Sequence, residues 1–195
     1  MKKFMLVLVV LIISVPVFGL DISFQGEKYI PIDSDTESNW SAQIKVRTGE
    51  NLWFGVGIEN GQRNFIVELY EYDLYSISAQ YIVPLNDKLS TFVQLAYYQP
   101  HVQPKNETTR EGFSMLNTEL KTALPHYDRI DISLDPGFGA EIGLTYSVSD
   151  HINFLIACRM LELDEHLMGY YGSQNSWIEG SHNFSGFKFG VQILF

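Results

Sequence analysis

The residues with the clearest capacity for chemistry stand together late in the chain: Asp164, Glu165 and His166 in one run, followed by Tyr170 and Tyr171. A carboxylate beside an imidazole is the pairing that general acid–base catalysis uses. A second pair of acids, Asp128 and Asp131, sits in a separate polar stretch from which it could face His166. His101 or His126 with Ser114, and His182 with Ser185, supply the types needed for a hydroxyl nucleophile and its base, but their spacing follows no catalytic pattern. Asp164, Glu165, His166, Asp128 and Asp131 are also of the right types to hold a cation, yet their spacing matches no metal-ligand motif, so neither a metal nor a cofactor is expected. Histidines and serines in polar loops are mostly hydrogen-bonded surface groups.

The elements that would position these residues begin after a leader. Lys2 and Lys3 precede an apolar run from Phe4 to Ile13, and Val17-Phe18-Gly19 offers a cleavage site, so residues 1–19 read as a signal peptide. Beyond it no run of about 20 apolar residues remains to form a membrane helix. The formal net charge is −10, and loss of Lys2 and Lys3 leaves −12, which argues against nucleic acid as a partner and against a purely electrostatic hold on anionic lipid. Cys158 is the single cysteine, so no disulfide framework exists.

What remains is dominated by period-2 alternation. Trp40, Ala42, Ile44 and Val46 share one face of a first segment, and Leu52, Phe54, Val56 and Ile58 one face of a second. Further segments cover 65–70, 75–83, 89–98, 138–147, 152–160 and 186–195. These eight segments approach the 9 to 11 residues that a tilted strand needs to cross hydrocarbon. Asn60-Gly61, Asn86-Asp87 and Ser149-Asp150 read as tight turns at one end, with Asn60-Gly61 a strong hairpin signal. Gly49 and Asp73 mark short connections at the other end, which also carries two long polar loops, 99–135 and 163–181. Residues 20–38 are acidic and read as a periplasmic segment that plugs the barrel mouth, adds strand-like cover or is a linker. The barrel itself is expected over 39–195.

The polar faces carry Glu59, Glu68 and Glu141 against Lys45, Arg47, Arg159 and Lys188, a near balance that suits a closed interior of ion pairs. Glycines 55, 57, 139, 143, 186 and 190 on those faces would make room for long side chains opposite. Trp40, Trp53, Tyr81, Tyr97, Tyr146 and Phe184 suit interfacial girdles. These features predict an all-β fold, an eight-stranded antiparallel up-and-down transmembrane barrel.

The chain ends Gly-Phe-Lys-Phe-Gly-Val-Gln-Ile-Leu-Phe, with Phe187, Phe189, Val191, Ile193 and Phe195 on one face. This strand resembles the C-terminal assembly signal of Gram-negative outer-membrane proteins. Over about residues 38–195 the plan resembles the small barrels related to outer-membrane proteins X, W and A. The resemblance implies residence in the cell outer membrane as a monomer, with outer-membrane lipid, lipopolysaccharide and the barrel-assembly machinery as partners. Asp164-Glu165-His166 resembles the Asp-Glu-His segment of omptins, proteases whose Asp/His pair works with a second pair of aspartates. Omptins have ten strands, and the only Asp-x-Asp here, Asp33 and Asp35, precedes the first expected strand. Lipid A acyl-chain enzymes, also eight-stranded, use a His and a Ser near the outer leaflet. The leading expectation is a non-enzymatic barrel with a filled lumen that presents its two long loops for binding, adhesion or envelope integrity. The alternatives are a conduit for small hydrophobic molecules, as in outer-membrane protein W, and a hydrolase.

Overall fold

The computed structural model describes residues 21–32, 39–65, 67–104, 129–171 and 173–195, and the expected leader over 1–19 lies outside them. The strands are β1 (Ile22–Pro31), β2 (Asn39–Arg47), β3 (Leu52–Phe65), β4 (Val67–Pro84), β5 (Leu89–Pro104), β6 (Arg129–Leu134), β7 (Gly137–Ser149), β8 (Ile152–Tyr171), β9 (Gln174–Asn183) and β10 (Gly186–Leu194). Eight of them close a ring of antiparallel neighbours in the order β1-β2-β3-β4-β5-β7-β8-β10, with β10 joined back to β1. Closure leaves no unpaired edge, which a sheet surrounded by hydrocarbon requires. Ile22 and Phe195 hydrogen-bond each other's backbone across the seam, and the Phe24 and Phe195 rings meet edge to face there at 5.6 Å.

Strand parity separates two environments. Outward positions carry Phe54, Val56, Ile77, Leu95, Ile142, Phe154, Ile156, Phe187 and Phe189, all exposed, while the buried inward positions hold most of the polar and charged side chains of the strands together with an apolar minority. A water-soluble sheet would reverse that distribution, so the outer wall is built for hydrocarbon. Trp40, Tyr81, Tyr97 and Tyr146 face outward, as girdle residues do, but Trp53 and Phe184 are buried. Trp53 shares the inward parity of Gly55, and Phe184 fills the lumen.

Three expectations need correction. Residues 22–31 are not a segment outside the barrel but its first strand, paired over its length with β2 and β10. Asn60-Gly61 is not a turn: β3 runs through it to Phe65, with Asn60 opposite Asp73 and Gly61 opposite Tyr72. Asp73 accordingly lies inside one continuous β4 rather than at a connection. The expected third and fourth segments are thus one strand, and the count of eight holds because β1 restores the number. The physical cause is shared by both errors at Asn60 and Asp73. Once a strand rises above the apolar band both of its faces are wet, and the hydrophobic alternation that marks a strand disappears. For the same reason β5 continues to Pro104, β8 to Tyr171, and β6 and β9 lie inside stretches expected as loops.

With β1 in place the ends sort cleanly. The connections around 48–51, 85–88 and 150–151 lie with the described chain ends at one rim, and the Gly49 connection belongs to this short-turn rim. The strand ends that flank the remaining connections lie at the opposite, upper rim. There β6 and β9 flank the upper half of β8, forming a three-stranded blade that continues the barrel wall upward.

Inward glycines fit the barrel to its contents. A Cβ at Gly55 would press on Lys45, and one at Gly190 would strike Gly26 O and Glu27; at Gly26, which faces outward, it would meet nothing within 4 Å. Full-length protein in detergent is expected to show β-rich circular dichroism and heat-modifiable gel migration. Gly190→Leu should abolish the compact unheated band by blocking closure between β1 and β10, whereas Gly26→Leu should retain it; equal folding of the two variants would overturn the assigned strand faces.

Candidate functional site

Two polar assemblies deserve comparison as sites: the charges sealed in the lumen and the group around His166 on the blade. An eight-stranded barrel is just wide enough for side chains to fill. Arg159 sits at mid-height, fully buried, and donates to Glu59 at 2.5 and 3.0 Å. Its Nε donates to Phe184 O at 3.0 Å, and the Tyr29 hydroxyl donates to the same carbonyl at 2.7 Å. That carbonyl belongs to the break between β9 and β10, where the ladder is interrupted and a backbone acceptor needs a side-chain partner. The guanidinium also stacks over the Tyr29 ring at 4.0 Å.

A second group lies beside it. Lys188 Nζ donates to Glu141 at 2.6 Å and to Glu27 at 3.2 Å, bridging two buried carboxylates. Glu27 also accepts from Gln25, Ser41 and Gln43, and Glu141 from Tyr98 and Gln94. Lys45 donates to Gln80 at 2.8 Å. Above these groups Tyr72, Leu74, Ala96, Tyr98, Leu134, Leu161, Leu163 and Phe184 pack into an apolar cap. Below them Gln192 donates to Ser23 and accepts from Asn153.

The structure therefore places Lys45, Glu59, Glu141, Arg159 and Lys188 inside the lumen. Arg47 is not among them: it is exposed at the short-turn rim and pairs with Asp21 at 3.0 Å. Its position at the end of β2, beyond the enclosed section, lets the guanidinium reach water. The side chain of Glu68 lies outside the described residues. Sequence reasoning missed Glu27, although Ser23, Gln25, Glu27 and Tyr29 form an unbroken polar face. Glu27, Glu59 and Glu141 balance Lys45, Arg159 and Lys188 in the set below the apolar cap, and Glu165, higher on β8, is a further buried acid.

His166 occupies the outward face of β8 above the apolar band. Its Nε2 lies 3.1 Å from Asp135 Oδ2 and its Nδ1 3.9 Å from Glu179, the residue directly across on β9. The hydrogen bond to Asp135 is the main cause that raises its pKa above the ordinary 6.5, with the negative charges of Asp135, Glu179 and Asp164 adding to it. Asp164 shares this exposed outward face, whereas Glu165 turns inward and is buried. Asp131 is in β6 with its backbone opposite Met168, but its side chain, like all of Asp128, lies outside the described residues. The described carboxylates form an open surface group around an imidazole rather than a cleft with two facing pairs.

His101 is exposed on β5, while Ser114 and His126 lie outside the described residues. His182 is buried with its ring 4.4 Å from Phe184, and Ser185 Oγ accepts from the Leu161 N–H at 3.1 Å. Ser185 thus serves the break between β9 and β10. Among the described residues no cluster of three or more His, Cys, Asp or Glu could hold a metal ion. The outward row Phe187, Phe189, Val191, Ile193 and Phe195 lies along the closing strand, β10.

A closed ring of eight strands, an apolar outer wall and a charge-filled lumen define a small transmembrane β-barrel of the outer-membrane type. Neither a protein-family model nor a curated protein matches the chain. Among solved structures it is similar to the outer-membrane protein OprG from Pseudomonas aeruginosa, at 11% identity over 90% of this chain and 95% of that one, with a TM-score of 0.51. It is similar to the outer-membrane protein AlkL, at 12% identity over 90% and 89% with a TM-score of 0.50, and to a de novo designed transmembrane β-barrel, at 8% identity over 90% and 95% with a TM-score of 0.50. The shared property is the fold.

Replacing Arg159 by Met should lower unfolding stability by about 3–5 kcal/mol in urea titrations of vesicle-embedded protein, because Glu59 is left buried without its partner. Adding Glu59→Met should recover most of the loss. For His166 the folded-state pKa exceeds the unfolded one, so its contribution to blade stability is present in full below about pH 6.5 and is lost as pH rises through the folded value. Imidazole NMR titration should give a midpoint above 6.5 that Asp135→Asn lowers.

Proposed function

We propose that this protein resides in the cell outer membrane as a rigid, non-conducting monomeric barrel that displays its upper-rim structure for binding or adhesion. The observation that carries this reading is the occupied lumen: a neutral set of six charged side chains lies beneath a packed apolar cap. Such an interior costs a great deal to open and offers a solute no path. The lumen is therefore scaffold, and recognition falls to the connections above it.

The blade of β6, β8 and β9 is the main described part of that display. Carboxylates outnumber cations on its described outward face, where Asp135, Asp164 and Glu179 surround His166. A partner docking there would present basic groups. Among the described residues the acid-histidine group faces no second pair of the kind that the omptin resemblance implies, and the described lumen holds no apolar passage of the kind that a hydrophobic conduit needs. Delivery of the barrel to the membrane would use the Phe195-terminated strand, β10, as the segment read by the assembly machinery.

In planar bilayers the purified barrel is expected to give no steady conductance steps. On intact cells, a membrane-impermeant maleimide should label Ser173→Cys in a Cys158→Ala background and should reach Asp87→Cys only after permeabilisation. Stable channels, or labelling of Asp87→Cys on intact cells, would overturn the reading.

A further inference from the structure

Above Pro31 the described wall has fewer strands than the closed ring below. β1 ends there, with the Ile32 N–H donating to Ser185 O at 3.0 Å, and β2 begins at Asn39. β9 continues upward for ten residues, and among the described strands it pairs with β8 alone. Six residues separate Ile32 from β2, too few to follow β9 to its tip at Gln174 and return. The edge that β1 covers on β10 is therefore left open by the described strands along the upper part of β9.

The ladder fixes which backbone groups line that edge. The Phe184 N–H donates to Leu161 O and Ser185 O accepts from β1, so even-numbered residues of β9 bond to β8 and odd-numbered ones point away from it. Asn175, Trp177, Glu179 and Ser181 thus direct both N–H and C=O past the edge of the sheet. Other strands that outrun their neighbours carry devices against pairing. β5 loses its β7 partner above Tyr98, and Pro100 and Pro104 follow there. The Ser147 N–H donates to Lys88 O, which puts the even-numbered residues of β5 on that side, so both prolines delete donors from it. β3 outruns β2 beyond Asn60 and shifts register between Arg63 and Asn64. In β9 no proline, lysine or register shift interrupts the edge. The outward side chains beside it are acidic: Glu179 on β9, Glu162 and Asp164 on β8, and Asp135 are all exposed, with His166 among them.

We infer that the open edge of β9 takes one extended basic segment of a partner protein as an added antiparallel strand, in the place that β1 occupies lower down. The main-chain groups of residues 175, 177, 179 and 181 supply hydrogen bonds that any extended backbone can use. Glu179, about 5 Å from the side chain directly opposite, selects a lysine or arginine there. This inference rests on the surface display proposed above and names how its partner binds.

The test is amide hydrogen exchange of the full chain in neutral detergent micelles with a synthetic peptide of five Thr-Lys repeats. In the barrel alone the N–H groups of Asn175, Trp177, Glu179 and Ser181 should exchange fast, while those of Ser176, Ile178, Gly180 and His182, bonded to β8, stay slow. Saturating peptide should slow the odd-numbered set about tenfold or more and leave the even-numbered set unchanged. The same peptide N-methylated at its lysines keeps its charge but cannot donate to β9, and should not bind; nor should five Thr-Glu repeats. Ser181→Pro removes an edge donor without touching the β8 ladder, and should weaken the peptide about tenfold while heat-modifiable migration persists. Glu179→Gln should weaken it about threefold. Odd-numbered amides already slow in a single-copy barrel would mean that the chain covers its own edge, and slow amides with a two-copy mass would make it a contact between copies. Peptide binding that leaves those amides fast would be charge attraction without strand addition. Each of these three results would overturn the inference and leave the display reading intact, since that reading fails only if Ser173→Cys stays unlabelled on intact cells or the barrel conducts.

Discussion

Six charged side chains enclosed in a cylinder too narrow for bulk water must neutralise one another, and the rest of this structure depends on that constraint. Arg159 with Glu59, and Lys188 between Glu27 and Glu141, draw on β8, β3, β10, β1 and β7, so ion pairs tie together strands far apart in sequence. Each charge has partners only when the ring is closed in the observed register. A slip of one residue would send every one of these groups into hydrocarbon and bring phenylalanines inside. The network therefore specifies the register as well as filling the lumen, and the inward glycines follow from it, since Gly55 and Gly190 yield the space that Lys45 and Glu27 occupy.

The legibility of the strands tracks the solvent on each side of the wall. Where hydrocarbon lies outside and polar packing inside, as along Phe138 to Tyr146 and Phe187 to Ile193, alternation is plain in the sequence. It fails in two situations. In β1 the outward face Ile22, Phe24, Gly26, Lys28 and Ile30 has a glycine and a lysine where apolar residues are expected, so an acidic tail was the natural reading and Glu27 went unrecognised. Above the band, around Asn60, Asp73 and Asp164, both faces meet water and polarity no longer distinguishes strand from loop.

The candidate chemistry was legible by residue type but not by arrangement. Asp164 and His166 do share a face, as residues two apart in a strand must. Their neighbours Asp135 and Glu179 arrive from β6's end and from β9, elements hidden inside polar stretches. Ser185 and His182 are drawn into holding the break between β9 and β10, a demand that only the paired backbone reveals.

The continuity of β8 has a mechanical consequence. One uninterrupted strand of 20 residues runs from the short-turn rim through the membrane into the blade, bonded to β7 and β10 below and to β6 and β9 above. A pull on the blade's tip along that strand loads both ladders in shear, so many hydrogen bonds share the force instead of parting one by one. Whatever the surface holds is thereby moored to the barrel wall through a load path without a hinge.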